Sequence, residues 1–313
     1  MQAKLVYNLA VMRTLKYVIP SSYDGSKVLY FLKGKAGLSS RLIRSLKLVE
    51  NGLILNGEHT RTVDEIHEGD VLEINIPEDD MDEGLSEYDG HDFGDLSVLY
   101  EDDDMIVVNK PAMLAVHPSH NHQGDTLANL IAAYLLAHGE KATFRAVGRL
   151  DKGTSGIVVC AKNAFAANKL QGKIDKTYFA IPTKIFAENG DIEAPIFRPD
   201  PIKTFRTVDP RGDYALTHYE VLQNGTLEDG TEASFVRVKI ETGRTHQIRV
   251  HFASIGAPLI GDTMYGTPDD RICHQALHCG EAKLLQPFTN ETISISAPLP
   301  QDMQEIIVKL HKV

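Results

Sequence analysis

Apolar and polar positions along this chain follow two different periods, and the switches between them mark out elements. Lys27–Phe31 and Ser40–Leu48 carry apolar residues at helical spacing. Gly52-Leu53-Ile54-Leu55-Asn56-Gly57 reads as a short strand ending in a turn, and Gly69-Asp70 is a turn signal before the alternating run Val71–Ile76. Tyr17–Pro77 is therefore expected to be a small α+β unit. Further on, Leu96–Val108 gives two strand-like runs around a turn at Asp102-Asp103-Asp104, and Asp125–His138 reads as an amphipathic helix. Gly156–Ala161 is continuously apolar, as in a strand buried on both faces. Asn163 is placed to cap a helix running to Lys173, and Thr177–Ile181 returns as a strand. Ser234–Glu241 alternates as a half-buried strand does, and Thr245–Ser254 has helical spacing. The class is strand-rich, with α and β mixed.

Of the 313 residues, 42% are hydrophobic and 24% charged, which supplies an extensive core and excludes wholesale disorder. The length suits a large domain with a smaller companion. Glu78–Gly94 is acidic, holds three glycines and has few apolar residues, so the boundary is placed there: residues 1–77, a linker at 78–94, and residues 95–313. The net charge of −11 is unevenly spread. Residues 78–104 hold 13 acidic residues and no Lys or Arg, which leaves 32 basic against 30 acidic residues elsewhere. Residues 27–47 carry Lys27, Lys33, Lys35, Arg41, Arg44 and Lys47 without an acid. That run reads as a phosphate-binding footprint or as a solvated helix face. No run of about 20 apolar residues is present, and Met1–Tyr30 lacks the flank, apolar stretch and cleavage site of a secretory signal, so the expected compartment is the cytoplasm and no membrane is involved.

Cys160, Cys273 and Cys279 form no C-x-x-C pair, so reduced, mostly buried thiols are expected. In Cys273–Cys279 a helix would align His274 with His278 in a zinc-like donor set. A core-facing segment with incidental polar residues is favoured, and no metal is expected. The segment richest in candidate chemistry is Gly148-Arg149-Leu150-Asp151-Lys152-Gly153-Thr154-Ser155-Gly156, a polar loop leading into the apolar run at 157–161. A carboxylate presented there can act as nucleophile, base or electrostatic stabiliser. Taken alone, Asp151 reads equally well as a turn former.

Arg149-Leu150-Asp151 with Thr154-Ser155-Gly156 resembles the H-R-L-D-x-x-T-S-G motif of the RluA/RluD-type pseudouridine synthases. Further segments match in the family's order. Val107-Val108-Asn109-Lys110-Pro111 with His117-Pro118 resembles the entering strand, and Lys176-Thr177-Tyr178-Phe179-Ala180 resembles K-x-Y-x-A. Thr242-Gly243-Arg244-Thr245-His246-Gln247-Ile248-Arg249-Val250-His251 resembles T-G-R-x-H-Q-I-R-x-H; Gly261-Asp262, Tyr265-Gly266 and Leu277-His278 complete the series. Residues 17–77 resemble an S4-type RNA-binding module through Ser39–Lys47 and Val49–Gly57, although Lys27–Leu32 replaces its usual R-L-D-x-x-L entry. Gly148 stands where the family commonly has His, and Met113 where it commonly has Gly.

The resemblance implies an α+β catalytic domain built on a mixed, largely antiparallel sheet, with a small S4-like domain before it. It implies isomerisation of uridine in structured RNA, without cofactor or metal. Large-subunit ribosomal RNA is the expected partner and transfer RNA the runner-up. Asp151 is the implied catalytic carboxylate, attacking C1′ or removing the C2′ proton. Arg244 is the implied cation beside it, Tyr178 the ring that stacks on uracil, and Arg149 the group that fills the space of the extruded base. Plainer roles are a phosphate contact for either arginine and a core position for Tyr178. Residues 141–178 hold eight basic residues, including Lys152, against two acidic ones, which reads as a strand-tracking surface. Lys110 is a further RNA-contact candidate or simply a strand terminus, and Arg41, Arg44 and Lys47 are candidates in the N-terminal unit. A monomer is the simplest assembly. Two other functions fit the composition: a non-catalytic RNA-binding or ribosome-assembly factor, and a nucleoside glycosidase using Asp175 or Asp262 as a second carboxylate.

Overall fold

The computed structural model describes residues 11–77, 96–119, 124–140 and 144–311. The acidic linker expected at 78–94, and Lys141 of the basic stretch, lie outside these. The N-terminal unit runs β1 (Val11–Val18), β2 (Ser26–Lys27), α1 (Val28–Lys33), α2 (Ser40–Leu46), β3 (Leu53–Leu55), β4 (Glu58–His59), β5 (Glu65–Ile66) and β6 (Val71–Pro77). Its antiparallel sheet has the order β1-β6-β3-β4, and β2 pairs with β5. Asn56 and Gly57 both have positive φ (51° and 86°), which is what a two-residue hairpin between β3 and β4 demands. Ser39 caps α2 by accepting from the Leu42 amide. The helix buries Leu42, Ile43 and Leu46 and leaves Arg41, Arg44 and Lys47 exposed.

The larger unit comprises β7 (Val98–Glu101), β8 (Met105–Lys110), α3 (Leu127–Ala137), β9 (Arg145–Val147), β10 (Ser155–Ala161), α4 (Ala164–Leu170), β11 (Asp175–Ala180), β12 (Gly190–Glu193), β13 (Ile196–Phe197), β14 (Thr207–Val208), β15 (Leu216–Thr226), β16 (Glu232–Ile240), α5 (Gln247–Ser254), β17 (Leu277–Leu285), β18 (Thr292–Ser296) and α6 (Gln301–Val308). Ten of these strands form one mixed, largely antiparallel sheet along β12-β15-β16-β11-β17-β10-β8-β7, with β18 on β17 and β9 on β10. Among the described residues its one parallel ladder joins β10 to β17, pairing Ser155 with His278 and Gly156 with Cys279. β10 is buried along its whole length, as its unbroken apolar run predicts.

The two units pack together through α4. Phe165 belongs to the N-terminal core and lies 4.4 Å from the ring of Phe288. Lys169 Nζ donates to the Ala36 carbonyl at 2.6 Å, and Asn168 Nδ2 to that of Gly37 at 2.9 Å. Arg13 of β1 pairs with Asp104, whose carboxylate also accepts from Gln286 at 2.7 Å. Burial pushes the Asp104 carboxyl up, against the pull of Gln286 and Arg13.

Cys273–Cys279 is not helical. Leu277 onward is β17, and His274 precedes it in a loop, where it bonds Asp302 at 2.9 Å. His278 instead meets Ser155 Oγ at 2.9 Å, so the two histidines serve different contacts. The N-terminal sheet also begins earlier than Tyr17, with β1 at Val11. β1 and β15 escape a periodicity search because neither run presents a clean alternation of apolar and polar residues.

Candidate active site

The loop before β10 is fixed from several sides. The Asp151 carbonyl accepts from the Thr154 amide at 3.0 Å, closing a turn, and Gln275 Nε2 donates to Thr154 Oγ1 at 2.9 Å. Gly156, at φ 108°, lies against β17 so closely that a Cβ would meet the Cys279 carbonyl oxygen at 2.2 Å; no other residue fits. Lys110, at the end of β8, is fully buried and not an RNA contact. Its Nζ donates to the carbonyls of Pro111, Leu114 and Lys152 at 2.9, 2.9 and 3.1 Å, tying the turn after β8 to the loop before β10. Burial drives its pKa down to about 7, opposed by the charge of Asp151. Three carbonyl acceptors call for three hydrogens, which favours the ammonium form.

Asp151, with its side chain 27% exposed, lines a cavity of about 100 Å³ with Tyr178, His246, Arg249 and Leu277. A larger cleft of about 610 Å³ continues past Met113, Arg149, Lys152 and Thr204. Tyr178 comes from β11, where it pairs with Cys279 of β17. Burial raises its hydroxyl pKa well above the ordinary value, with Cys279 and Asp151 adding to the shift, so it stays protonated.

The cation at Asp151 is Arg249, not Arg244. Arg249 Nη1 lies 3.2 Å from Asp151 Oδ2, and its Nε and Nη2 grip Asp262 at 2.7 and 2.8 Å. Burial opposes its charge, but Asp262 and Asp151 outweigh burial and hold its pKa up. Arg244 precedes α5 and borders both the small cavity and the cleft, but its Nε donates to the Tyr214 carbonyl at 3.1 Å and its Nη1 lies 3.5 Å from Asp213, so it does not pair with Asp151. The helix begins at Gln247, which turns Arg249 inward among Ile248, Val250 and Phe252, all buried. A charged residue inside an apolar helical run is the sequence signal that points to Arg249, since a buried guanidinium must be paired.

Arg149 and Lys152 are exposed at the cleft, whereas Arg41 and Arg44 on α2 and Lys47 at its C-cap lie outside the cavity. Lys162 is withdrawn from the basic surface by Glu101 and Glu140, at 2.7 and 2.9 Å. Neither proposed second carboxylate is free. Asp262 is fully buried under Arg249 and also accepts from the Met264 and Tyr265 amides, and Asp175 is exposed on β11 beside Lys239. Among the described residues, no group of three or more His, Cys, Asp or Glu side chains is arranged to hold a metal ion. His246 and Tyr265, unassigned from the sequence, also belong to the site: Tyr265 lies beneath the Arg249 guanidinium, 5.0 Å from ring centre to Cζ. The two departures from the family pattern have a backbone context. Gly148 and Met113 both have positive φ, 78° and 66°; the first is relaxed for glycine and the second strained for methionine.

Such an arrangement can present one carboxylate, oriented by a buried guanidinium, to a flat group held against Tyr178. The family model for RNA pseudouridylate synthase matches residues 104–254. An uncharacterized RNA pseudouridine synthase of Bacillus subtilis, YhcT, is 36% identical over 300 residues, spanning 94% of this chain and 96% of its own. The ribosomal large subunit pseudouridine synthase D of Haemophilus influenzae is 36% identical over 231 residues, 68% of this chain and 70% of that protein. The solved structure of human RNA pseudouridylate synthase domain containing 1 superposes with a TM-score of 0.54 at 26% identity, covering 68% of this chain and 94% of that one. With a family model matched over residues 104–254 and relatives 36% identical over two thirds or more of its length, this chain belongs to the RNA pseudouridine synthases of the RluA/RluD type.

Proposed function

We propose that this enzyme isomerises specific uridines of large-subunit ribosomal RNA, with Asp151 as the catalytic carboxylate. The observation that carries this reading is the placement of Asp151 beside the small cavity, 3.2 Å from Arg249 and lined in common with Tyr178. Relatives named for the ribosomal large subunit support that RNA as the substrate. The inner cavity is too small for a stacked duplex, so the nucleotide is extruded and only the base and sugar reach Asp151. Arg149, exposed at the cleft, then occupies the vacated space and offsets the few kcal/mol of unstacking. Tyr178 stacks on the uracil. Asp151 attacks C1′ or takes the C2′ proton, and both routes use the ionised carboxylate that Arg249 stabilises.

The N-terminal unit serves as an S4-like RNA-binding domain through Arg41, Arg44 and Lys47. Lys173, exposed just beyond α4, extends the basic surface toward the catalytic loop, and Lys176 Nζ lies near Gly148. Tritium release from [5-³H]uridine-labelled large-subunit RNA tests the reading. Asp151→Asn is expected to end release while binding RNA nearly normally, and continued turnover by that variant rejects Asp151 as catalyst. Neutralising Arg41, Arg44 and Lys47 together should weaken binding and flatten its salt dependence by up to about three charges.

A further inference from the structure

His246 is a cavity side chain for which the chemistry above has no use. Its backbone is left-handed, φ 58°, at the N-cap of α5, a conformation seldom adopted by a residue other than glycine. The ring is held inside the cavity, its side chain 10% exposed, with Nε2 3.8 Å from Asp151 Oδ2, beyond hydrogen-bond reach. Nδ1 lies 2.8 Å from the hydroxyl of Tyr265. That hydroxyl oxygen already accepts from the backbone N–H of Arg206 at 3.0 Å. An amide nitrogen can only donate, and among the described residues the hydroxyl hydrogen has no acceptor other than Nδ1. The arrangement that gives the hydroxyl hydrogen an acceptor has Tyr265 donating to His246. Tyr265 is itself fixed by stacking on Phe205, 5.2 Å between centroids, and by the Arg249 guanidinium over its face. Burial, then Arg249 and Arg206, keep the imidazole neutral against the pull of Asp151 and Asp262. A neutral ring that accepts at Nδ1 carries its hydrogen at Nε2, on the side of Asp151.

We propose that His246, locked as the Nε2–H tautomer by Tyr265, is the hydrogen-bond donor that holds a carbonyl oxygen of uracil while the base is detached from its ribose. The inference rests on the pseudouridine reading of this site. When N1–C1′ breaks, the electron pair leaves with the base and its charge spreads onto the carbonyl oxygens. A fixed donor at one of them stabilises that charge and keeps the base from diffusing away before C5 reaches C1′. Across the whole reaction N1–C1′ is exchanged for C5–C1′, and the proton lost at C5 is matched by one gained at N1. Nothing is oxidised, and His246 ends as it began.

The test uses the full chain with transcripts of large-subunit ribosomal RNA and transfer RNA labelled with [2-¹⁴C]uridine, under single turnover. Pseudouridine and free uracil are counted from the same digest, and RNA affinity is measured separately. His246→Ala is expected to slow isomerisation by roughly 10²-fold, with affinity within about twofold, and to release free uracil that the wild type does not. His246→Gln, which keeps a donor near Nε2, should recover most of the rate. Tyr265→Phe, which frees the tautomer, should be intermediate. Wild-type rate without uracil release in His246→Ala overturns the proposal. A Gln variant as impaired as the Ala variant overturns it too, because shape rather than donation would then matter, and wild-type rate in Tyr265→Phe removes the tautomer lock. If the wild type forms no pseudouridine, the underlying reading fails and the inference falls with it. If the wild type is active and Asp151→Asn is not, a failure of the His246 variants to behave as stated overturns the role of His246 alone.

Discussion

Replacing Arg249 and Arg244 by methionine, one at a time, separates two arginines of a single motif. Arg249 is 7% exposed and bidentate on Asp262, which is wholly buried. Its removal leaves that carboxylate, among the described residues, with the Met264 and Tyr265 amides alone, and breaking a buried pair in this way costs about 3–5 kcal/mol. A folded body of about 200 residues loses about 2–4 °C of Tm per kcal/mol, so Arg249→Met is expected to lower Tm by roughly 6–20 °C. The same change removes the cation 3.2 Å from Asp151 and should cut the single-turnover rate by about 10²-fold or more. The Arg244 side chain is 42% exposed and, among the described residues, bonds the Tyr214 carbonyl and lies 3.5 Å from Asp213. Such contacts are worth about 0–1 kcal/mol, so Arg244→Met should shift Tm by no more than about 4 °C. Its effect on activity should fall on RNA affinity rather than on the chemical step. Scanning calorimetry and single-turnover isomerisation read both quantities. Equal losses in the two variants, or a stable and active Arg249→Met protein, would refute the assignment of the buried pair.

Three further outcomes follow from the geometry. Burial, opposed by the Ala297 carbonyl, holds the pKa of His278 down at about 4, below its unfolded value of about 6.5. The unfolded chain therefore binds the extra proton first on acidification, and about 3 kcal/mol of stability present above pH 6.5 is lost as pH falls toward 4; urea unfolding at pH 7 and pH 4.5 should show that loss, reduced in His278→Gln. Lys110→Met should leave the carbonyls of Pro111, Leu114 and Lys152 without their shared donor and destabilise by at least about 3 kcal/mol, with loss of activity, whereas a merely phosphate-binding lysine would change only the salt dependence of RNA affinity. Met113→Gly should raise stability by about 1 kcal/mol in denaturant melts, because the residue sits at φ 66° and is 42% exposed; a destabilised variant would mean that Met113 makes a contact worth more than its strain.

Local sequence carried much of this protein. The unbroken apolar run at 156–161, the Asn-Gly turn at 56–57, the cap at Asn163 and the helical spacing of α2 and α5 each answer to chemistry within a few residues, and the structure realises each of them. The segment around Asp151 stood out locally only as a polar, glycine-bearing loop, and the family resemblance singled out its carboxylate; its glycines answer to backbone angles and to close approach to β17.

Pairings across the fold were decided only in three dimensions. Which of Arg244 and Arg249 meets Asp151 depends on where α5 begins, and that is set by the left-handed backbone of His246 and by Gln247 bonding to β15. Lys110 looks from its neighbours like a strand end open to RNA, yet the carbonyls of Pro111 and Leu114 in the turn that follows it and of the distant Lys152 converge on it and draw it inward. His274 and His278 stand at helical spacing but enter a loop and a strand, because β17 completes the sheet beside β10. Spacing along the chain thus determined the elements and the residue types at the site, while the partner of each buried charge depended on desolvation, which forces a group to find whatever the folded chain brings within reach.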